Sequence, residues 1–395
     1  MQAIILAAGL GTRTYPLTLT RPKPLLKVAN KTIIEHNLEQ LKGLVEEVII
    51  VIGYKGEMIK KLIGKSFNKL KITYVLQKQQ LGSGHALELC KNKLKDSFIV
   101  MNGDDIFCKE DIERCLKHKY CILAKKVENP YIFGILKVKG KYVLEIIEKP
   151  KKYLSALANT GLYRLDKDIF NIKLKKTARQ EYEITDYINE LAKENNVSFI
   201  KAKEYWFPVS YPWSLLNANE FFINKINKNE IKGKVESNVI IKDKIIVGKG
   251  TTIKSGSCIE GPVIIGENCE IGPNSYLRKG ATIGNNCKIG NACEIKNSIL
   301  MDNTKVPHLS YVADSIIGEN CNLGAGTIIA NLRHDKENVK SKVKNELIDT
   351  GRRKFGAVIG DNVHTGINTS IYPGRKLWPG MNTVPGEVVR KDITE

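Results

Sequence analysis

The chain has no apolar run long enough to cross a membrane, and no basic region precedes its apolar beginning, MQAIILAAGLGTR. We therefore read neither a transmembrane segment nor an export signal, and expect a cytoplasmic protein. Its nine cysteines are scattered, with no CxxC and no accompanying histidine cluster, which excludes a disulfide framework and a zinc site. They read instead as reduced, small apolar fillers. Aromatic residues make up only 7% of the chain, and no recognised nucleic-acid module occurs. The excess of 62 Lys and Arg over 42 Asp and Glu, a formal charge of +20, is dispersed along the chain. That pattern suits phosphate-bearing small molecules better than nucleic acid, which we do not expect as a partner. The glycine-rich stretch near the start, GLGTRT, lacks the third glycine of a dinucleotide fingerprint and the GK[ST] of a P-loop.

What is present is a ladder. From residue 241 onward every sixth position is branched or long and apolar: Ile241, Val247, Ile253, Ile259, Ile265, Ile271, Leu277, Ile283, Ile289, Ile295 and Met301. A period of six fits neither an α-helix nor an isolated strand. It fits a parallel β-helix, in which short strands end at turns and the same inward position stacks on the coil below. Glycine or asparagine after most rungs supplies the turns. With 395 residues, the chain should therefore hold two domains, 1–230 and 231–395, joined by the Lys- and Asn-rich stretch 227–236.

The first domain opens on a buried strand at 2–7, followed by LAAGLGTRTYPLTLTRPKPLLKV. Two glycines let backbone N–H groups approach an anion, while Arg13 and Lys23 add fixed positive charge. Pro16, Pro22 and Pro24 predict an extended loop. Helical and strand patterns then alternate (helix from Ile33 to Leu41, strand at 48–52, helix at 58–63, strand at 72–76), which predicts a parallel α/β sheet. A strand at 98–101 runs into Asn102-Gly103-Asp104-Asp105, where a carboxylate at a strand end can hold Mg²⁺ against a triphosphate.

The string LAAGLGTRTYPLT with RPKPLL resembles the signature of sugar-1-phosphate nucleotidylyltransferases, which join a nucleoside triphosphate to a sugar phosphate and release pyrophosphate. The resemblance covers about the first 215 residues and implies a Rossmann-like fold. It implies that Leu6, Ala8, Gly9, Gly11 and Thr12 bind nucleotide, with Arg13 and Lys23 on the triphosphate and sugar phosphate. LQKQQLGSGHAL is similar to the base-recognition segment, so that Gln77, Gly82 and Ser83 take the nucleobase. Asp104 falls on the family's metal position. Segments 131–138, 147–150 and 158–161 resemble sugar-contacting stretches, which assigns Gly134, Glu148, Lys149 and Asn159 to the sugar. One departure concerns the late metal ligand of many relatives, which falls here on Pro208. Either Asp104 holds the ion with substrate oxygens and water, or Ser210 compensates, or the activity is impaired.

The ladder breaks twice. It misses position 307 and resumes at Ile317, Leu323 and Ile329, with KVPHLSYVADS read as an insertion; it breaks again before Ile359, Ile371 and Leu377, where ANLRHDKENVKSKVKNELIDTGRRKFG loops out. Insertions in a solenoid collect on a binding face. The period resembles the left-handed β-helix of hexapeptide acyltransferases, and HLSYVADSIIGENCNLGAGTIIAN is similar to the glucosamine-1-phosphate acetyltransferase half of bifunctional amino-sugar enzymes, archaeal ones above all. That resemblance implies His308 as the base, Tyr311 and Asn331 as sugar-phosphate and amine contacts, Arg278 and Lys296 on the sugar phosphate, and Lys336 and Lys340 on sugar phosphate or CoA. It implies acetyl-CoA and sugar 1-phosphates as substrates with UTP or dTTP, Mg²⁺ as the ion, and a homotrimer or dimer of trimers. The alternatives are a mannose-1-phosphate guanylyltransferase-like enzyme and a regulatory sugar-nucleotide-binding subunit with an inactive nucleotidyl site.

Overall fold

The structure is a computed structural model describing residues 1–177, 179–194 and 197–394. Its contacts divide the chain into two units, one of Met1–Leu10, Pro22–Leu25 and Ile33–Val209, the other of Gly11–Arg21, Leu26–Thr32 and Ser210–Glu395.

The first unit is built on a ten-stranded sheet. Strand Gln2–Ala7 lies at its heart, parallel to Glu47–Ile52 on one side and to Ser97–Asn102 on the other. It is buried on both faces, as its unbroken apolar run requires. Ala3, Ile5 and Ala7 pack with Ile34 and Leu38 of helix Ile33–Leu41, whereas Ile4 packs with Ala86 and Leu87 of helix Ser83–Glu88. Burying each isoleucine contributes about 1.5–3 kcal/mol. Glu47–Ile52 pairs in turn with Leu70–Leu76, and helix Gly56–Ile63 connects them. The alternating helices and strands expected here are all present.

The sheet is mixed, however, rather than parallel throughout. Leu157–Asp166 runs antiparallel to both Ser97–Asn102 and Cys121–Lys126, and Gly134–Lys139 forms an antiparallel pair with Tyr142–Glu148. Those last two strands are joined by the short turn at Gly140, whose φ of 58° the pair needs and no crossover helix could replace. The loop after the first strand also differs from expectation. It is folded into 3₁₀ turns at Thr12–Thr14 and Lys23–Leu25 rather than extended. The hydroxyls of Thr14 and Thr18 both donate to the Gly11 carbonyl, each at 2.7 Å, and curl the chain back on itself.

The second unit contains a left-handed parallel β-helix of hexapeptide repeats. Three stacks of eight, seven and eight short parallel strands make its sides. Its interior is one continuous apolar column that includes Val247, Ile253, Ile259, Ile265, Ile271, Leu277, Ile283, Ile289 and Ile295, with Ile241 partly buried at its edge. Cys269, Cys287, Cys293 and Cys321 fill corners of this column, each thiol donating to a backbone carbonyl of the next coil, and all nine cysteines are free.

Two rung assignments change. The rung after Ile295 is Leu300 rather than Met301, because Ile283 pairs with Leu300. The stretch read as the first insertion is not one. It supplies two ordinary strands, Lys305–His308 and Tyr311–Ala313, whose Val306 and Val312 continue the column in register with Ile289 and Ile295. What broke the period is a pair of shortened corners, at Asn297-Ser298 and Asp314-Ser315, where Asn297 and Asp314 turn the chain at φ of 44° and 49°. Each removes one residue, so the ladder resumes at Ile317 two positions earlier than an unbroken period of six would place it. The second break is a true insertion: Ile317 pairs directly with Ile359 and Ile329 with Ile371, while the intervening chain forms an antiparallel hairpin, Lys340–Val343 with Glu346–Asp349. Helix Pro212–Asn224 groups with this unit.

Candidate active sites

In the first unit the chemistry collects at the carboxyl ends of the parallel strands, where backbone crossings leave a crevice. Leu6 and Ala8 hold this edge through their carbonyls, which accept from Gly103 N–H at 2.9 Å and Tyr54 N–H at 3.3 Å. Gly103 has no room for a side chain, since a Cβ would lie 2.6 Å from the Leu6 oxygen. Lys23, almost fully buried, donates to Asp104 at 2.8 Å, and the Asp104 carboxylate stays part exposed. Asp105, by contrast, is buried and accepts from Trp206 Nε1 at 3.2 Å; burial first, and Asp104 next, push its carboxyl well above the usual range. The two adjacent aspartates thus differ in kind, one a part-exposed group paired with Lys23 and the other a buried core residue whose carboxyl is raised.

Gln77 is buried, its amide donating to the Gly82 carbonyl at 3.0 Å and meeting His85 Nδ1 at 3.1 Å. Gly82 has a φ of 103°, and a Cβ there would sit 2.3 Å from the Tyr182 carbonyl, so only glycine fits. The Ser83 hydroxyl accepts from Ile184 N–H at 3.1 Å. Gln77 is thus tied across the loop to Gly82, the residue that precedes helix Ser83–Glu88.

Gly134 and Glu148 face each other across the antiparallel pair, and a Cβ on Gly134 would meet Glu148 Oε1 at 2.5 Å. Burial, followed by the nearby Glu183, raises the Glu148 carboxyl, while Arg179 at 3.9 Å partly offsets them. Lys149 follows in a left-handed conformation, φ 46°. Asn159 is held by Tyr163, whose hydroxyl accepts its amide at 2.7 Å, and its oxygen accepts from Gly161 N–H at 3.0 Å. Asn102 was missed by reading the sequence. Its side chain abuts Gly161 and bonds Asp105, tying the strand end to the Asn159 turn; the polar run NGDD was its only signal.

Pro208 is the cross-strand partner of Asp105, and Val209 N–H donates to the Asp104 carbonyl at 3.3 Å. Among the described residues no group of three or more His, Cys, Asp and Glu side chains could hold a metal ion. Asp104 alone offers a carboxylate, a donor set that suits Mg²⁺, which completes its shell with water and substrate phosphate oxygens.

In the second unit Gly11, at φ 65°, starts the turn that carries Thr12 and Arg13. The Arg13 guanidinium lies 5.8 Å from the Tyr211 ring centre, and Tyr211 stacks on Trp213 at 4.7 Å. On the β-helix, Arg278 is in register with Lys296, and Glu294 with Tyr311, so all four occupy one side. Arg278 bonds Glu294 at 2.8 Å. Burial depresses the Lys296 ammonium against a compensating pull from Asp314, and Lys354 and Arg278 lower it further. Burial raises the Tyr311 hydroxyl. Asn331 joins the group through Asp314, whose Oδ2 accepts its amide at 2.6 Å while Oδ1 accepts from Asn297 at 2.7 Å. Asp314 and Lys354 are further residues that sequence reasoning missed; the run GRRK was the available signal for Lys354, and none marked Asp314.

His308 ends its strand, exposed, just before Leu309 turns the corner at φ 52° toward Tyr311. Lys336 and Lys340 are both exposed on the insertion. Lys340 lines a groove of about 680 Å³ with Arg333, Arg375 and Arg390; Lys336 does not, its carbonyl accepting from Arg353 instead.

A strand-end crevice with a Lys–Asp pair on a mixed α/β sheet, followed by a hexapeptide β-helix, defines a sugar nucleotidyltransferase joined to an acyltransferase-type scaffold. A family model described as nucleotidyl transferase matches residues 2–225, and one described as the GMPPB C-terminal domain matches residues 259–376. The chain is 44% identical to the bifunctional protein GlmU of Methanocaldococcus jannaschii, over 95% of this chain and 92% of that protein. It is 42% identical to a bifunctional sugar-1-phosphate nucleotidylyltransferase/acetyltransferase of Sulfurisphaera tokodaii, over 100% and 98%. Among solved structures, a putative glucose-1-phosphate thymidylyltransferase from Bacillus anthracis in complex with a sucrose superposes with a TM-score of 0.53 at 31% identity, covering 57% of this chain and 96% of that one. The chain belongs to the bifunctional GlmU family. It is an enzyme, a sugar-1-phosphate nucleotidyltransferase and an acetyltransferase in one chain.

Proposed function

We propose that the chain acetylates glucosamine 1-phosphate on the β-helix and couples the N-acetylated product to UTP in the first domain, with dTTP and other sugar 1-phosphates as further substrates, and that the domains divide near residue 230. The observation that carries this reading is the cation set Arg278, Lys296 and Lys354 beside the Asn331–Asp314 pair. A sugar phosphate dianion neutralises the first set, and Asn331 and Tyr311 are suited to orienting the amine.

In acetyl transfer the sugar amine attacks the thioester carbonyl, His308 accepts the proton that the nitrogen sheds, and CoA leaves as the thiol. The exposed imidazole suits that role. The groove containing Lys340, Arg333 and Arg390 is suited to the phosphates of acetyl-CoA, with Lys336 near its approach. In nucleotidyl transfer a phosphate oxygen of the sugar attacks the α-phosphorus and pyrophosphate leaves, so no protein nucleophile is needed. Arg13 and Lys23 neutralise the phosphates, Gly9, Gly11 and Thr12 offer backbone to them, Gln77, Gly82 and Ser83 take the base, and Gly134, Glu148, Lys149 and Asn159 take the sugar. Asp104 would hold Mg²⁺, which would supply charge neutralisation to the triphosphate. Pro208 contributes no ligand, so ion binding leans on substrate oxygens. Trimers through the β-helix, in the cytoplasm, are the state we assign.

The test is a panel scored separately for free thiol and for pyrophosphate. Thiol release from acetyl-CoA only with glucosamine 1-phosphate, and pyrophosphate release only with UTP or dTTP and Mg²⁺, are expected. Absence of thiol release would favour the guanylyltransferase-like alternative, and ligand binding without pyrophosphate release the regulatory one.

A further inference from the structure

A second cavity of about 710 Å³ lies in the second unit, between the insertion hairpin and the C-terminal segment. Among the described residues its walls carry Lys342, Lys344, Arg375, Lys376 and Lys391 against a single carboxylate, Asp392. That carboxylate is already occupied, accepting from the backbone N–H of Lys376 at 3.0 Å. Lys376 is only 1% exposed, yet among the described residues its ammonium has one acceptor, the Lys342 carbonyl at 2.6 Å. An ammonium has three donors, and burying it with two of them unused is costly. Burial depresses its pKa to about 8, with Asp392 opposing. Five cationic side chains converging on one cavity repel one another, and nothing in the fold of the β-helix requires them there, since Lys376 flanks the rung Leu377 at a position that a neutral residue would fill equally well.

We propose that this cavity is a binding site for a compact polyphosphate anion, either inorganic pyrophosphate or the polyphosphate chain of a nucleotide. Lys376 anchors it from below, where the anion supplies acceptors that the described residues do not, and Lys342, Lys344, Arg375 and Lys391 close around it. Thr12 and Tyr15 also line the cavity, so its occupant touches the loop that carries Arg13. The cavity shares only Arg375 and Leu347 with the groove assigned above to acetyl-CoA.

Trp378 lines the cavity and is one of only three tryptophans, which makes it a local reporter. In the full-length protein at low salt, adding inorganic pyrophosphate should change tryptophan emission saturably, and the change should vanish in W378F. Lys344 and Lys391 are exposed, so reversing both to Glu leaves the fold intact, as an unchanged melting temperature would verify. That double variant should bind about tenfold more weakly or worse. Lys376→Met should do the same. The signal should persist in Lys23→Ala, which disables the nucleotidyl site. UTP binding more tightly than pyrophosphate identifies a nucleotide as the occupant, and the reverse identifies free pyrophosphate. The proposal is overturned if no Trp378 signal appears, if it survives the double charge reversal, or if it disappears in Lys23→Ala. It is also overturned if the double reversal raises KM for acetyl-CoA, which would assign the cavity to the acetyl donor.

Discussion

His308 and Asp105 show how differently two titratable side chains can be used in one chain. His308 stands exposed at a corner of the β-helix, and is the residue proposed as the base. Replacing it with Ala should reduce acetyl transfer by about 10²–10⁴-fold while pyrophosphate release continues; loss of both activities in the same preparation would show a structural role instead. Asp105 is the opposite case, a carboxyl pushed well above the usual range by burial and by Asp104 beside it. Its folded pKa is raised above the unfolded value of about 3.9, so the folded state keeps a proton that the unfolded chain releases. Its stabilising contribution is therefore full at acid pH and is lost as pH climbs toward the folded pKa. Asp105→Asn should flatten that slope at pH values above the unfolded pKa of about 3.9, measured as urea midpoints. A variant as pH-dependent as the parent would refute the assignment. The resemblance singled out Asp104 of this acidic pair, and the burial of Asp105 in the core is what the structure adds.

At the scale of elements, the β-helix tolerates little change at its corners. Strand Lys288–Asn291 passes so close to the coil below that a Cβ on Gly290 would fall 1.9 Å from the Pro307 carbonyl. Gly290→Ala must push two coils apart, and overpacking of this kind costs about 1–3 kcal/mol; thermal melts should show a lower midpoint, and an unchanged one would mean that the coils slide freely. Replacing the central rung Ile295 with Ala should cost about 2–5 kcal/mol through the cavity it leaves. Reading every sixth residue located these rungs because inward positions must be apolar. It failed after Ile295 because Met301, though apolar, is one residue past the true rung, Leu300. A shortened corner leaves no compositional trace, whereas the second insertion, long and charged, was plain.

Considering the molecule as a whole, the signature loop matters beyond its own motif. Arg21, buried, bonds Glu319, and its second terminal nitrogen lies 2.5 Å from Asp361 of the β-helix, where the Thr20 hydroxyl also donates at 2.6 Å. Lys27 pairs with Asp302 at 2.6 Å one coil away. Arg21→Met strands the buried Asp361 carboxylate, a loss of about 3–5 kcal/mol. Unfolding of the full chain should report it, and Asp361→Asn added to the same variant should restore part; no recovery would mean that the two groups act independently. In solution, light scattering should give three times the 44.3 kDa chain mass if the β-helices associate as trimers.

Sequence by itself determined the two architectures, since buried strands and stacked rungs both demand apolar residues at spacings that survive without any knowledge of contacts. It also determined the order of the motifs on which the resemblance rests. Tertiary structure decided which strands run antiparallel, where the coils shorten, that Asp104 and not Asp105 faces the crevice, and that Lys354, Asp314 and Lys376 belong to charged clusters. Those outcomes depend on pairing and burial between residues distant in the chain, and a one-dimensional pattern contains neither.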